Sequence, residues 1–174
     1  MKRIFSINRQ NDLDLYSKSF IKRKAYRAII FNDNQILVVK SARYGEMKFP
    51  GGGKEEKETA FDVLSREVME ETGYQIKSKI KPFFSTIEYA KDFKHEVDLF
   101  IQDSKYYYCS IYDNQKSTAY SDYEVEYGYY PLWVTLDEAI SNNESVASND
   151  LIPWLERDTL MLKLLLEQRR KNEN

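Results

Sequence analysis

Three glutamates, Glu67, Glu70 and Glu71, stand at positions i, i+3 and i+4, so a helix would project all three from one side. Like charges at this spacing repel each other and destabilise an isolated helix. The cluster becomes favourable when a divalent cation such as Mg²⁺ sits among the carboxylates, because hard oxygen ligands suit that ion. The spacing therefore indicates a site that holds a metal ion against a phosphate. A solvated acidic helix face is the alternative for any one of these glutamates.

A helix that carries these glutamates is predicted from about Ala60 to Thr72. Thr59 is a good N-cap, and Asp62 three residues later completes a capping box. Gly73 follows the helix, and glycine readily takes the left-handed conformation at a helix C-terminus. An apolar stripe that would bury one flank of the helix consists of Phe61, Leu64 and Val68.

The glutamates belong to a longer pattern over residues 52–74, GGKEEKETAFDVLSREVMEETGY. Its fixed positions are Gly52, Glu58, Arg66, Glu67, Glu70, Glu71 and Gly73. A chance match at all of them is improbable, because each residue type has a frequency of only roughly 7%. The stretch resembles the Nudix box, G-x5-E-x7-R-E-U-x-E-E-x-G-U, in which U is a bulky apolar residue. Tyr74 departs from the usual aliphatic residue, at a position that serves packing.

The resemblance extends beyond the box. Residues 48–53 (KFPGGG) look like the family's run into it, and a weaker similarity of strand pattern covers about residues 26–140. The resemblance implies an α/β Nudix fold, an α/β/α sandwich with a mixed β-sheet. It also implies metal-dependent hydrolysis of a diphosphate bond in a nucleoside diphosphate linked to another group, with Mg²⁺ or Mn²⁺ as the cofactor. The alternative is a catalytically idle module that senses a nucleotide-like ligand, but such relatives often lose box carboxylates and this chain keeps them.

Roles for individual residues follow from the same resemblance. Glu70 and Glu71 are expected to be the strongest metal ligands, and Glu67 a further ligand or the base that orients the attacking water. Arg66 is expected to hold a box carboxylate, Glu67 or Glu58, by a hydrogen-bonded ion pair. Further contributors to the metal site are expected to be the Glu58 carboxylate and the Gly52 backbone carbonyl.

Residues outside the box are candidates for substrate contact. Arg43 and Lys48 precede the box closely enough to meet substrate phosphates, and Arg27 is a less well placed candidate. Some Nudix members use a base far downstream of the box, and the acidic candidates here are Glu124 and Glu126. Surface solvation is the alternative role for each of these side chains.

Composition narrows the class of protein. Lys and Arg number 26 and Asp and Glu 28, and a net charge of −2 gives no sign of broad attraction to nucleic acid or membrane. One cysteine, Cys109, excludes an intrachain disulfide, and one histidine, His95, excludes a histidine-cluster metal site; His95 is predicted to lie in a surface loop. The sequence lacks an apolar run of about 18 residues that could span a membrane, as well as a signal-peptide core. A cytoplasmic location is therefore expected, while the Nudix resemblance implies a small-molecule, nucleotide-type substrate.

The elements that must position the site are predicted to form one domain over residues 1–174. Its core is expected at about residues 24–142 and its C-terminal helix at about residues 151–170. The leucine-rich helix is predicted to pack on the sheet, with a dimer contact as the alternative, so the chain is expected to be a monomer or a homodimer. A turn is predicted at residues 102–105, a polar loop at 113–122, and a short helix from Thr135 to about Asn142. The predicted strands are residues 4–7, 24–31, 35–40, 83–89, 97–101, 106–112 and 129–134.

Overall fold

The computed structural model describes residues 2–9, 12–92, 96–146 and 152–173. His95, which the sequence placed in a surface loop, lies outside these residues. Within the described residues, no helix is both long and apolar enough to cross a membrane.

Strands and helices alternate along the chain without a strict βαβ rhythm. The strands are β1 (Lys2–Asn8), β2 (Phe20–Ile29), β3 (Phe31–Asn32), β4 (Gln35–Ser41), β5 (Met47–Lys48), β6 (Ile76–Ala90), β7 (Leu99–Ile111) and β8 (Tyr129–Thr135). The helices are α1 (Ala60–Thr72), α2 (Asp122–Tyr127), α3 (Leu136–Ser145) and α4 (Leu155–Glu173).

The strands form two sheets that meet at β2. The first sheet is mixed and has the order β1-β6-β7-β2, in which β1 pairs with β6 and β2 with β7 in parallel, while β6 and β7 are antiparallel. The second sheet is antiparallel and is centred on β4, which pairs with β3, β5 and β8. Backbone hydrogen bonds from Tyr26 to Gly52 (3.0 Å) and from Ala28 to Pro50 (2.8 Å) connect β2 to the segment that leads into α1.

Helices cover the sheets on both sides. On one side, Val63, Leu64 and Val68 of α1 pack in a cluster with Tyr26 and Ala28 of β2. On the other side, a second cluster buries apolar residues of α3 and α4 against the strands; its members include Ile29, Phe49, Tyr106, Ala139, Met161 and Leu165. This arrangement confirms the predicted α/β/α sandwich with a mixed sheet.

Helix α1 has the bounds that local chemistry predicted. The Thr59 side chain accepts a hydrogen bond from the Asp62 amide (3.3 Å), and the Asp62 carboxylate accepts one from the Thr59 amide (2.8 Å), which completes the capping box. Gly73 ends the helix with φ of 74°, and its amide donates to the Met69 carbonyl (2.9 Å). Of the predicted apolar stripe, Leu64 and Val68 are fully buried, whereas Phe61 is only partly buried.

The predicted turn at residues 102–105 is wrong, because β7 runs without a break from Leu99 to Ile111. The polar residues Gln102 and Ser104 suggested a solvated turn, but both are buried within the sheet. The Gln102 side-chain amide donates to the Glu88 carboxylate (3.2 Å) and to the Ser104 hydroxyl (3.1 Å). Side-chain partners on neighbouring positions therefore satisfy polar groups that would otherwise disfavour a strand interior.

Several other boundaries also differ from the prediction; for example, the strand predicted at residues 83–89 begins earlier, at Ile76. The segment around Glu124 and Glu126 forms the short helix α2, because Ser121 and Glu124 make a capping box and Gly128 ends the helix in the left-handed conformation with φ of 62°. The C-terminal helix begins at Leu155 and continues to Glu173, so it starts and ends later than predicted. Tyr129 to Thr135 forms the predicted last strand.

Candidate active site

A glycine turn lies directly against the acidic side of α1. Gly51 has φ of 135°, which strongly favours glycine, and its amide faces the helix. A methyl group on Gly52 would collide with the Glu67 carboxylate, so that carboxylate sits immediately beneath the turn. The Gly52 carbonyl, a predicted metal ligand, accepts the amide of Tyr26 in β2 (3.0 Å). The turn is thus fixed between a strand and a helix with no room for side chains.

Arg66 is the cation around which three box carboxylates gather. Its Nε donates to Oε1 of Glu58 (2.9 Å) and its Nη2 to Oε2 of the same residue (3.2 Å). Its Nη1 lies 2.7 Å from Oε1 of Glu67 and 3.4 Å from Oε2 of Glu70. The hydrogen bond from Arg66 and the backbone amide of Glu55 lower the pKa of Glu58. Arg66 therefore contacts both of the carboxylates that the resemblance offered as its partner.

Glu70 is the least constrained of the three glutamates. Its side chain is 40% exposed, and the 3.4 Å contact with Arg66 is long for a hydrogen bond. Partial burial raises the pKa of Glu70, and the negative charges of Glu67 and Glu124 raise it further, while Arg66 opposes them. A carboxylate in this position can turn towards a bound ligand at little cost to the fold.

Glu71 faces a different cation. Its carboxylate is buried and accepts hydrogen bonds from the Lys48 ammonium group (2.9 Å) and the Gly51 amide (2.7 Å). The Lys48 nitrogen also lies 4.0 Å from the ring centre of Tyr129. Burial raises the pKa of Glu71 to about 7, against the opposing effects of Lys48, the Gly51 amide and Arg27. The glutamates are thus divided between Arg66 and Lys48.

The carboxylates of α1 fit a metal ion only in part. Among the described residues, no three His, Cys, Asp or Glu side chains are grouped closely enough to hold one. Glu67 and Glu70 nevertheless approach the same nitrogen of Arg66, which shows that the pair can converge on one positive charge. That donor set suits a hard divalent cation. Glu71 would join the pair only after its carboxylate leaves Lys48.

A loop ahead of α2 covers the C-terminal end of α1. The Ala119 amide donates to the Glu70 carbonyl (2.9 Å), the Tyr120 hydroxyl to the Glu71 carbonyl (3.2 Å), and the Gln115 side chain to the Thr72 carbonyl (2.9 Å). These bonds satisfy helix-end carbonyls that lack partners within the helix. They also bring Glu124 close enough to raise the pKa of Glu70.

The four predicted substrate-contact residues outside the box, Arg43, Lys48, Glu124 and Glu126, lie in two different places. Arg43 and Glu126 form an ion pair with each other, and their side chains are 45% and 64% exposed. The Arg43 guanidinium lies 5.6 Å from the ring centre of Tyr127. The structure therefore brings Glu124 and Lys48 to the box helix, whereas Arg43 and Glu126 pair on the surface.

Sequence reasoning missed one cation beside the turn. The Arg23 guanidinium lies against Gly53, and partial burial lowers its pKa while the negative charge of Glu67 opposes this shift. Arg27, on the same strand, donates to the Gly51 carbonyl. The available signal was strand alternation, which places Arg23 and Arg27 on one face of β2 on either side of Ala25, the residue that bridges to Gly53.

The buried Glu71 carboxyl leads to a prediction about pH. In the metal-free protein, stability should fall as pH rises from about 4.5 to 7, because the folded state retains a proton that the unfolded chain releases. Below this window both states are protonated, and above it both are ionised. We expect denaturant unfolding of the wild type in chelator at pH 4, 6 and 8 to show this fall.

A double variant is the control for that prediction. Lys48→Met with Glu71→Gln removes both buried charges, so neither is left without its partner. Its free energy of unfolding should lose the part of the pH dependence that Glu71 contributes. Identical pH profiles for the wild type and the double variant would show that Glu71 does not titrate in this range.

Comparison with known proteins agrees with this geometry. A family model described as NUDIX domain matches residues 21–155. A NUDIX hydrolase from Nitrosomonas europaea superimposes with a TM-score of 0.53 at 18% identity, over 79% of this chain and 88% of that one. A MutT protein from Bacillus halodurans gives a TM-score of 0.51 at 17% identity, over 81% of this chain and 80% of that one. Comparison with curated proteins gave no match.

The fold, the glycine turn and the box helix define a Nudix domain, and the chain belongs to the Nudix family. It is a hydrolase that acts on phosphoric anhydrides.

Proposed function

We propose that this protein hydrolyses the diphosphate bond of a nucleoside diphosphate linked to another group, in a reaction that depends on Mg²⁺ or Mn²⁺. The observation that carries the proposal is the Arg66 cluster, in which Glu58, Glu67 and Glu70 surround one guanidinium beside the glycine turn. Three carboxylates assembled at a turn that excludes side chains give a place where an ion and a phosphate can meet.

In this proposal Glu67 and Glu70 hold the ion. When bound, it neutralises phosphate charge and lowers the pKa of a coordinated water. Arg66 keeps the Glu67 carboxylate beneath Gly52, and its two bonds to Glu58 fix the guanidinium itself. Glycines are required at the turn because Tyr26, Glu67 and Arg23 occupy the places where side chains of Gly51, Gly52 and Gly53 would lie.

Glu71 and Glu124 have separate proposed roles. Glu71 fixes the turn through the Gly51 amide, and it joins the metal site only when Lys48 withdraws. Glu124 is the better placed of the two downstream base candidates, because it acts electrostatically on Glu70 whereas Glu126 pairs with Arg43. A base must lie within hydrogen-bonding reach of its water, directly or through one further water.

A substrate panel tests the proposal. Purified protein would be incubated with nucleoside triphosphates, ADP-ribose, nucleotide sugars and dinucleoside polyphosphates, each with Mg²⁺, with Mn²⁺ and with chelator. Nucleotide products would be separated by chromatography. We expect at least one class to be cleaved at its diphosphate bond with metal, and none with chelator. Failure to cleave any of them would contradict the proposal.

The Lys48–Glu71 pair provides a specific basis for the alternative, a nucleotide sensor without turnover. An ammonium group bound to Glu71 already neutralises one of the expected metal ligands. Calorimetry with the same panel separates the two functions. Tight binding of one compound without cleavage in either metal would favour the sensor.

A further inference from the structure

Arg23 occupies an unusual position for an arginine near the end of a strand. The residue as a whole is exposed, yet its guanidinium group lies against the glycine turn rather than extending into water. A methyl group on Gly53 would lie 2.6 Å from Nη2 and 2.7 Å from Nε of Arg23. The planar group therefore occupies the space that the missing side chain of Gly53 leaves.

The Arg23 guanidinium has no hydrogen-bonding or ion-pairing partner among the residues that the structure describes. Its neighbours differ in this respect, since Arg27 donates to the Gly51 carbonyl and Arg157 pairs with Glu88 and Asp158. Five donor groups on a guanidinium can be satisfied by water at the surface. Close to a backbone turn, fewer of them can reach water, so a fixed acceptor would bind favourably.

The charges around Arg23 also favour the binding of an anion. Partial burial lowers the pKa of Arg23, and the positive charges of Arg27 and Arg157 lower it further, while Glu67 opposes them. The guanidinium stays charged, because an arginine side chain in a protein keeps its proton. Arg157 is already neutralised by Glu88 and Asp158. The excess of positive charge on the sheet side of the turn therefore comes from Arg23 and Arg27, which face the single box carboxylate Glu67. Such an excess attracts a group with several negative oxygens.

We propose that Arg23 binds a phosphoryl oxygen of the diphosphate substrate on the sheet side of the Gly51–Gly53 turn. The inference rests on the proposed function. A guanidinium suits this role because its parallel N–H donors can bind two oxygens of one phosphate. The substrate would thus be held by Glu67 and Glu70, through their ion, on the helix side and by Arg23 on the strand side. Arg23 is then a binding residue for the diphosphate rather than for the rest of the substrate.

A matched pair of variants tests this role. Arg23→Ala removes the proposed contact, and Lys24→Ala removes an equal charge from the next residue, whose side chain leaves the opposite face of β2. The probe is α,β-methylene ADP, which has a non-hydrolysable P–C–P bridge, titrated by calorimetry in Mg²⁺. We expect Arg23→Ala to weaken binding about tenfold to a hundredfold, the effect of losing hydrogen bonds to a charged partner. Lys24→Ala should stay within about twofold of the wild type, because solvent screens an exposed charge.

Two further variants separate position from charge. Arg23→Lys should restore only part of the affinity, because a single ammonium group lacks the two parallel donors. Gly53→Ala keeps Arg23 but fills its space, so it should weaken binding of the analogue in the same direction as Arg23→Ala. Circular dichroism and thermal unfolding would establish that each variant is folded.

The outcomes distinguish this inference from the proposed function. Equal affinity of the wild type, Arg23→Ala and Lys24→Ala for the analogue would overturn the role of Arg23, as would a wild type that does not bind it. Cleavage in the substrate panel decides the proposed function separately. Arg23-dependent binding with no cleavage would support the inference and contradict the hydrolase. Cleavage with unchanged KM in Arg23→Ala would support the hydrolase and contradict the role of Arg23.

Discussion

Glu70→Gln should reduce kcat by about tens- to thousands-fold, because the proposed metal ion, which would stabilise the developing phosphate charge, would lose a charged ligand. The same change should leave the fold almost intact. The Glu70 side chain is 40% exposed, and its carboxylate lies 3.4 Å from Nη1 of Arg66. Exposed ion pairs contribute only about 0–1 kcal/mol to stability. A large loss of turnover in a stable protein would therefore point to the site and not to folding.

The measurement is steady-state hydrolysis of the best substrate in the panel, with the metal concentration varied. Glu56→Gln is a suitable control, because Glu56 is an exposed glutamate in the loop between Gly53 and α1 and its substitution removes an equal charge. It should retain kcat within about twofold, since solvent screens its charge. A Glu70→Gln enzyme that turns over at the rate of Glu56→Gln would show that Glu70 does not hold the ion.

Arg66→Ala should have the second large effect, on stability as well as turnover. In chelator it leaves Glu58, Glu67 and Glu70 without the cation that they share, and the first two are only 16% and 14% exposed. Removing one partner from a buried ion pair costs several kcal/mol, so about 2 to 4 kcal/mol is expected at this partly buried site. Added Mg²⁺ should restore part of the loss, because an ion bound only by the folded state stabilises it.

Urea unfolding with chelator and with Mg²⁺ measures this difference. The stabilisation by Mg²⁺ should be larger in Arg66→Ala than in the wild type, where Arg66 already neutralises the carboxylates. Arg66→Lys serves as the comparison, since one ammonium group cannot reproduce the two bonds to Glu58. An equal Mg²⁺ effect in all three proteins would contradict a metal site at Glu67 and Glu70.

The parts of the site that local chemistry determines could be predicted from the sequence. Helix α1 has the predicted bounds because its cap residues, Thr59 and Asp62, and its terminal glycine, Gly73, act on their own neighbours. The acidic side of the helix follows from residue spacing alone. Contacts of Arg66 with Glu58 and Glu67 lie within the same stretch of chain.

Glu71 shows where spacing alone was insufficient. On a helix Glu71 follows Leu64 by seven residues and Val68 by three, so it shares the face of two fully buried residues. The three glutamates are therefore not equivalent, because only Glu71 overlaps with the buried apolar stripe. The partner that makes burial tolerable, Lys48, comes from before the box, and pairing across the fold could not be read from helix geometry.

The sequence predicted two strands and a turn in place of β7 for a related reason. Gln102 and Ser104 are polar by type, and only the fold brings Glu88 of β6 to Gln102, which also donates to Ser104 on its own strand. Glu88 and Arg157, for example, meet within a buried network at 2.8 Å although they are distant in sequence. Polar residues in a strand interior are predictable only when such partners are known.

The parallel pairing of β2 with β7 has a consequence for synthesis of the chain. Phe20 lies opposite Leu99 and Ile29 opposite Tyr108, so β2 must wait for a much later segment to leave the ribosome before its ladder can close. Distant strand partners of this kind slow folding and leave an unpaired edge exposed meanwhile. Arg23 and Ala25 lie on that edge and contact Gly53, so the strand that supports the glycine turn should remain without its β7 partner until translation has passed Ile111.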